Sequence, residues 1–141
     1  MSDKHVIRTE WKGNLAFEAD INGHKVIMDA NTESGGHDLG SSPKKLLLVA
    51  LSGCTGMDVV SILKKMRVDV EKCSIEVQGD IAEEHPKRYT KMHVIYEFTG
   101  KDLPLDKLEK AVKMSEDTYC GVEALYKMAI EVTSEIKIIA S

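Results

Sequence analysis

The order of apolar patterns along the 141-residue chain predicts an α+β fold, with antiparallel sheets around one long buried central helix. Three observations carry this. Short stretches of strict apolar/polar alternation fall in two groups, one before residue 30 and one between residues 74 and 98. An eighteen-residue stretch with a single charge, Leu46 to Leu63, lies between them. Two segments of helical spacing follow. The resulting order, β-β-β-α-β-β-α-α-β, lacks the regular β-α alternation of a doubly wound parallel sheet.

The first strand is expected over His5-Val6-Ile7-Arg8-Thr9 and the second over Leu15 to Ile21, with Gly13-Asn14 and Asn22-Gly23 as turn signals after each. A third strand, Lys25 to Asp29, completes the meander. Asn31 to Ser41 is too rich in Gly, Asn, Asp and Ser for regular structure and reads as a loop. Ser42-Pro43 predicts the start of the main helix, because a hydroxyl caps free N–H groups and proline costs nothing at the first helical position. That helix extends to about Met66. Gly53 and Gly56 lower its propensity but permit a close neighbour on their face. Ser74 to Gln78 and Lys91 to Phe98 predict an antiparallel hairpin. Pro104 opens a helix over Leu105 to Met114, and a third helix begins near Thr118, with Val122, Leu125, Met128, Ala129 and Val132 as its buried stripe. Glu135 to Ile138 is a last strand.

Length and composition narrow the class. The chain fits a single domain over residues 1–141, large enough for a core without disulfides, with 43 % hydrophobic and 30 % charged residues. Nineteen Lys and Arg against 23 Asp and Glu leave a net charge of −4, with a pI near 5.7. No basic cluster is interleaved with aromatics, so nucleic acid is not an expected partner. Leu46 to Leu63 carries one charge, Asp58, but its Ser, Gly, Cys and Thr residues and its lack of aromatic anchors argue for a core helix rather than a membrane span. Three cysteines and an N-terminus without an apolar signal core point to the cytoplasm.

Chemistry is expected at the cysteines. CxxC, HxxxH and HExxH are absent and the five histidines stand alone, with His37 and His85 in polar loops, so no local metal site or cofactor is expected. Cys54 lies mid-helix between Gly53 and Gly56, where an inert buried thiol and a reactive one are both open readings. Should Asp117 or Thr118 cap the third helix, Cys120 falls in its first turn, where free N–H groups favour a thiolate. Cys73 leads into a strand and reads as structural. Two thiols within reach would allow a sulfenic acid to be converted to a reducible disulfide; spacing alone does not bring them together.

The run from Ser42 to Leu63, including Ser52-Gly53-Cys54-Thr55-Gly56-Met57-Asp58-Val59-Val60-Ser61, resembles the central helix of the osmotically inducible protein C family, which includes the organic hydroperoxide resistance proteins. Tyr119-Cys120-Gly121-Val122 with Glu131-Val132-Thr133 resembles the family's second cysteine motif. The nearest resemblance is to a less characterised branch. It implies an intertwined homodimer with its active sites at the subunit interface. It also implies a catalytic pair, with Cys54 attacking an organic hydroperoxide, Cys120 resolving the sulfenic acid and a dithiol reductant completing the cycle.

Two departures stand beside the resemblance. The peroxidase members activate the first cysteine with an arginine from the N-terminal strands and a glutamate just after the helix-opening proline; here Lys44 and Lys45 follow Pro43, and Trp11-Lys12-Gly13-Asn14 lacks the arginine. Asp58 lies one helical turn after Cys54, and a carboxylate there opposes a thiolate unless a cation neutralises it. The chain therefore reads as a cysteine-based peroxidase or related redox protein. The alternative is a non-catalytic member that binds a small hydrophobic or thiol ligand at the dimer interface.

Overall fold

The computed structural model describes residues 3–141, which form two compact units, 3–47 and 48–141. The first is a meander of β1 (Arg8–Trp11), β2 (Phe17–Ile21) and β3 (His24–Met28), paired antiparallel in the order β1-β2-β3. Asn22 and Gly23 both take positive φ, 52° and 89°, in the two-residue turn that Ile21 and His24 close. Asparagine and glycine tolerate that conformation best, which is why this hairpin was legible in the sequence. β1 begins at Arg8 rather than His5, because its partner β2 reaches only Asp20 opposite Arg8 before the chain turns. Val6 and Ile7 consequently remain exposed.

The expected loop holds a short 3-10 turn, Thr32–Ser34, capped by the Asn31 side chain. Asp29, buried at the end of β3, gathers it by accepting hydrogen bonds from the backbone N–H groups of Ala30, His37 and Leu39 at 2.7, 3.2 and 3.2 Å. Burial by itself would raise the Asp29 pKa, but these donors outweigh it and hold it below the ordinary carboxylate range.

The main helix, α1 (Leu46–Lys65), starts three residues later than Pro43 predicts. Ser41 is held to the end of β3 by a bridge to Met28, and Pro43 to Lys45 make a tight turn with i to i+3 bonds into Leu46 and Leu47 before α-helical bonding begins. By length and composition α1 is apolar enough to cross a membrane. Only one of its faces is fully buried, however: Leu51, Thr55, Val59 and Leu63, at helical spacing. Met57 and Val60 are exposed, so one chain by itself does not cover the whole of this apolar helix. Gly56 supplies the close approach that its size allows, since a Cβ there would stand 2.9 Å from Ile75 Cδ1, whereas a Cβ on Gly53 would meet no neighbouring element within 4 Å among the described residues.

The second sheet contains β4 (Lys72–Ile81), β5 (Tyr89–Gly100) and β6 (Glu131–Ala140), in that order. β4 and β5 are the expected antiparallel hairpin, and alternate β5 residues Met92, Val94, Tyr96 and Phe98 enter the core beside Leu51, Val59 and Leu63 of α1. β6 pairs parallel with β5, so the sheet is mixed rather than antiparallel. The reason is topological. A parallel neighbour needs a crossover, and the chain between Gly100 and Glu131 provides one through α2 (Leu105–Met114), a π-helical turn (Ser115–Tyr119) and α3 (Gly121–Lys127). The π turn shifts the helical phase, so the stripe expected on the third helix does not form: α3 ends at Lys127, Val132 already belongs to β6, and Leu125 and Met128 are exposed. The α+β class and the element order stand as predicted.

Candidate functional site

α1 carries Cys54 and, one turn later, Asp58 on the same side, as i, i+4 spacing requires. Thr55 between them sends its hydroxyl back to the Leu51 carbonyl at 2.9 Å and is wholly buried. The chain returns to this helix through the π turn. Ser115, at its start, is buried and donates its hydroxyl to Asp58 Oδ2 at 2.9 Å; its carbonyl accepts the Cys120 N–H at 2.8 Å. One serine thus fixes both the carboxylate on α1 and the backbone of the second cysteine.

Cys120 lies not in the first turn of the third helix but at its cap, in extended conformation, and its Sγ accepts the Glu123 N–H at 3.3 Å. The π turn consumes the residues that were expected to do the capping. The result brings the two sequence-predicted thiols together: Cys54 Sγ, Cys120 Sγ and a carboxylate oxygen of Asp58 lie within 4.8 Å of one another. Cys73, on β4 opposite Phe98, is not part of this cluster, nor is any histidine among the described residues.

The electrostatics differ from the sequence expectation. Burial pushes the Cys120 thiol up to about 12, and the neighbouring Cys54 thiol adds to the rise; the N–H groups of Glu123 and Val122 offset only part of it. The Cys120 environment therefore favours the thiol over the thiolate. Tyr126 also feels the pair: burial, then Cys120 and Cys54, raise its phenol.

Sequence reasoning missed a set of polar side chains that runs from the core to the surface. Tyr96 on β5 donates to Glu116 Oε2 at 3.3 Å, and Ser134 donates to the other Glu116 oxygen at 3.2 Å. Burial first, and then Glu116, raise the Tyr96 phenol well above its usual range. Glu123 is fully buried, and among the described residues neither carboxylate oxygen accepts a hydrogen bond; Lys127 Nζ stands 3.4 Å from Oε2. Burial, then the Glu116 charge, push its pKa up to about 7. The signal for Glu123 was the spacing Cys120-x-x-Glu123, which places an acid at the third position after a helix cap. Ser115 had no such signal.

A groove of about 400 Å³ is lined by Asp58, Ser61, Ile62, Lys65, Met66, Met114 and Tyr119. Cys73 lines a different hollow, beside Val68, Val70 and Phe98.

Residues 35–135 match the family model described as OsmC-like protein. Protein YhfA of Escherichia coli strain K12 is 34 % identical over 135 residues, covering 95 % of this chain and 98 % of that protein. A hypothetical protein from Aquifex aeolicus VF5 has a crystal structure similar to this one, with a TM-score of 0.86 and 29 % identity over 100 % of this chain and 99 % of its own. An organic hydroperoxide resistance protein OsmC from Legionella pneumophila shares the fold at a TM-score of 0.69 and 13 % identity, covering 94 % of this chain and 95 % of that one. The order of elements and the match over residues 35–135 agree, and the chain belongs to the family of OsmC-like proteins.

Proposed function

We propose that this protein is a cytoplasmic thiol peroxidase acting on organic hydroperoxides, with Cys54 as the attacking and Cys120 as the resolving residue. The observation that carries this reading is the convergence of the two sulfurs to within 4.8 Å from elements 66 residues apart in sequence. The Cys54 thiolate attacks the distal oxygen of the hydroperoxide, the O–O bond breaks, and the alkoxide leaves as an alcohol after taking a proton. Cys54 is then a sulfenic acid. Attack by Cys120 sulfur on that of Cys54 forms the disulfide and releases the hydroxyl as water. An external dithiol reduces the disulfide by exchange, becoming a disulfide itself.

The groove at Asp58 mixes apolar side chains, Ile62, Met66, Met114 and Tyr119, with Ser61 and Lys65, so it offers an organic hydroperoxide both an apolar wall and polar contacts. Assembly as a homodimer belongs to the same reading. Val49, Met57 and Val60 leave an apolar strip exposed along α1, and Leu125 and Met128 expose a second near the cysteines; contiguous exposed apolar surface of this kind marks an interface.

Incubating the reduced protein with an organic hydroperoxide and a dithiol tests the reading. Sustained loss of hydroperoxide that disappears in Cys54→Ser is the expected result. Ligand retention without any thiol oxidation would favour a binding role in its place.

A further inference from the structure

We propose that Cys54, Asp58 and Cys120 form a binding site for one zinc-class divalent cation. Three groups whose ionised forms repel one another meet within 4.8 Å, and none of the ion pairs among the described residues involves Asp58. A cation held between the three groups would offset that repulsion. As a metal site the cluster is coherent. Two thiolates and one carboxylate are a borderline-soft donor set that suits Zn²⁺ rather than Mg²⁺ or Ca²⁺, and three protein donors leave a fourth tetrahedral position open.

The geometry is close to what such an ion needs. Zn–S bonds of about 2.3 Å and Zn–O bonds of about 2.0–2.2 Å place tetrahedral donors roughly 3.5–3.8 Å apart, so side-chain adjustments of about an ångström close the set. Outer partners are already in place. Ser115 donates to Asp58 Oδ2 and leaves Oδ1 for coordination, and the Glu123 N–H points at Cys120 Sγ, the kind of support that orients ligands in metal sites. A groove that Asp58 lines together with Ser61 and Lys65 opens the carboxylate side of the cluster to solvent. Binding replaces a thiol proton on each cysteine, so affinity rises with pH by up to about tenfold for each proton displaced per pH unit. The binding itself does not depend on peroxidase chemistry. Its consequence does: while the ion holds both thiolates, neither is free to attack a hydroperoxide.

Titration of the fully reduced protein with Co²⁺ under anaerobic conditions, followed by displacement with Zn²⁺, tests the site. The expected result is one ion per chain, with thiolate-to-cobalt charge-transfer absorption and the intense visible bands of four-coordination. Asp58→Asn weakens binding at least about tenfold with an unchanged far-ultraviolet circular dichroism spectrum. Cys54→Ser and Cys120→Ser each reduce the charge-transfer intensity, and Cys73→Ser leaves it intact. Absence of thiolate bands in the wild-type protein overturns the proposal, as does Asp58→Asn binding as tightly as wild type or Cys73→Ser abolishing the signal. Oxidation of the metal-free protein by hydroperoxide is measured separately. Cobalt binding without oxidation keeps this site and removes the peroxidase reading, whereas oxidation without cobalt binding does the reverse.

Discussion

Replacing Glu123 by glutamine probes the most costly group in the site. The carboxyl is fully buried on α3, its oxygens accept no hydrogen bond among the described residues, and burial followed by the Glu116 charge raises its pKa from 4.5 to about 7. An acid with a folded-state pKa above its unfolded value binds its proton more tightly when folded. Its contribution to stability is therefore complete below about pH 4.5, declines as pH rises toward 7, and stays lost at higher pH. A rise from 4.5 to about 7 corresponds to about 3 kcal/mol. Glutamine has nearly the same shape and no charge, so Glu123→Gln removes this decline. Its buried amide needs partners of its own, which reduces the gain, and the variant should exceed wild type by about 1–3 kcal/mol at pH 8 and show no gain near pH 4.5. Urea unfolding of both proteins between pH 4.5 and 8 gives the difference directly. Parallel stability curves would refute the reasoning, because they would mean that Glu123 ionises as easily in the folded chain as in the unfolded one.

Other expectations follow from the same geometry. Gly36→Ala should destabilise the meander unit by more than about 3 kcal/mol, because the added Cβ would lie 2.0 Å from the Ala30 carbonyl oxygen and 2.8 Å from the Asp29 carboxylate, neither free to move; thermal unfolding checks this. Stopped-flow oxidation of Cys54 by an organic hydroperoxide should be roughly ten- to a hundredfold slower than in a relative that has the arginine–glutamate pair, since Asp58 stands beside the thiols here and the arginine is absent; an equal rate would reveal an activating group elsewhere. Sedimentation at micromolar concentration should give a dimer, with an interface of at least about 2,000 Å², and a folded monomer would contradict that assembly.

Features fixed by local chemistry were the ones legible in the sequence. Asn22-Gly23 permits the positive φ values of its turn, alternation in Met92 to Phe98 places one face of β5 in the core, and i, i+4 spacing puts Asp58 beside Cys54. What escaped depends on distant partners. β1 starts where β2 allows it to, and β6 runs parallel because two helices carry the chain across. The third helix illustrates the limit best: five residues of π turn after Met114 change its phase, turn Leu125 outward and Glu123 inward, and make Cys120 a cap. The role of Ser115 follows from that turn and from nothing in its sequence neighbourhood. Spacing alone could not bring Cys54 and Cys120 together; the fold does, with Asp58 beside them.

Treating the reduced protein with one equivalent of organic hydroperoxide and mapping its disulfides by mass spectrometry, with free thiols blocked, tests the central claim most directly. The account predicts an intramolecular Cys54–Cys120 disulfide with Cys73 still free, formed through a Cys54 sulfenic acid that accumulates in Cys120→Ser. Unmodified Cys54 and Cys120, or a disulfide that draws in Cys73 in their place, would contradict it.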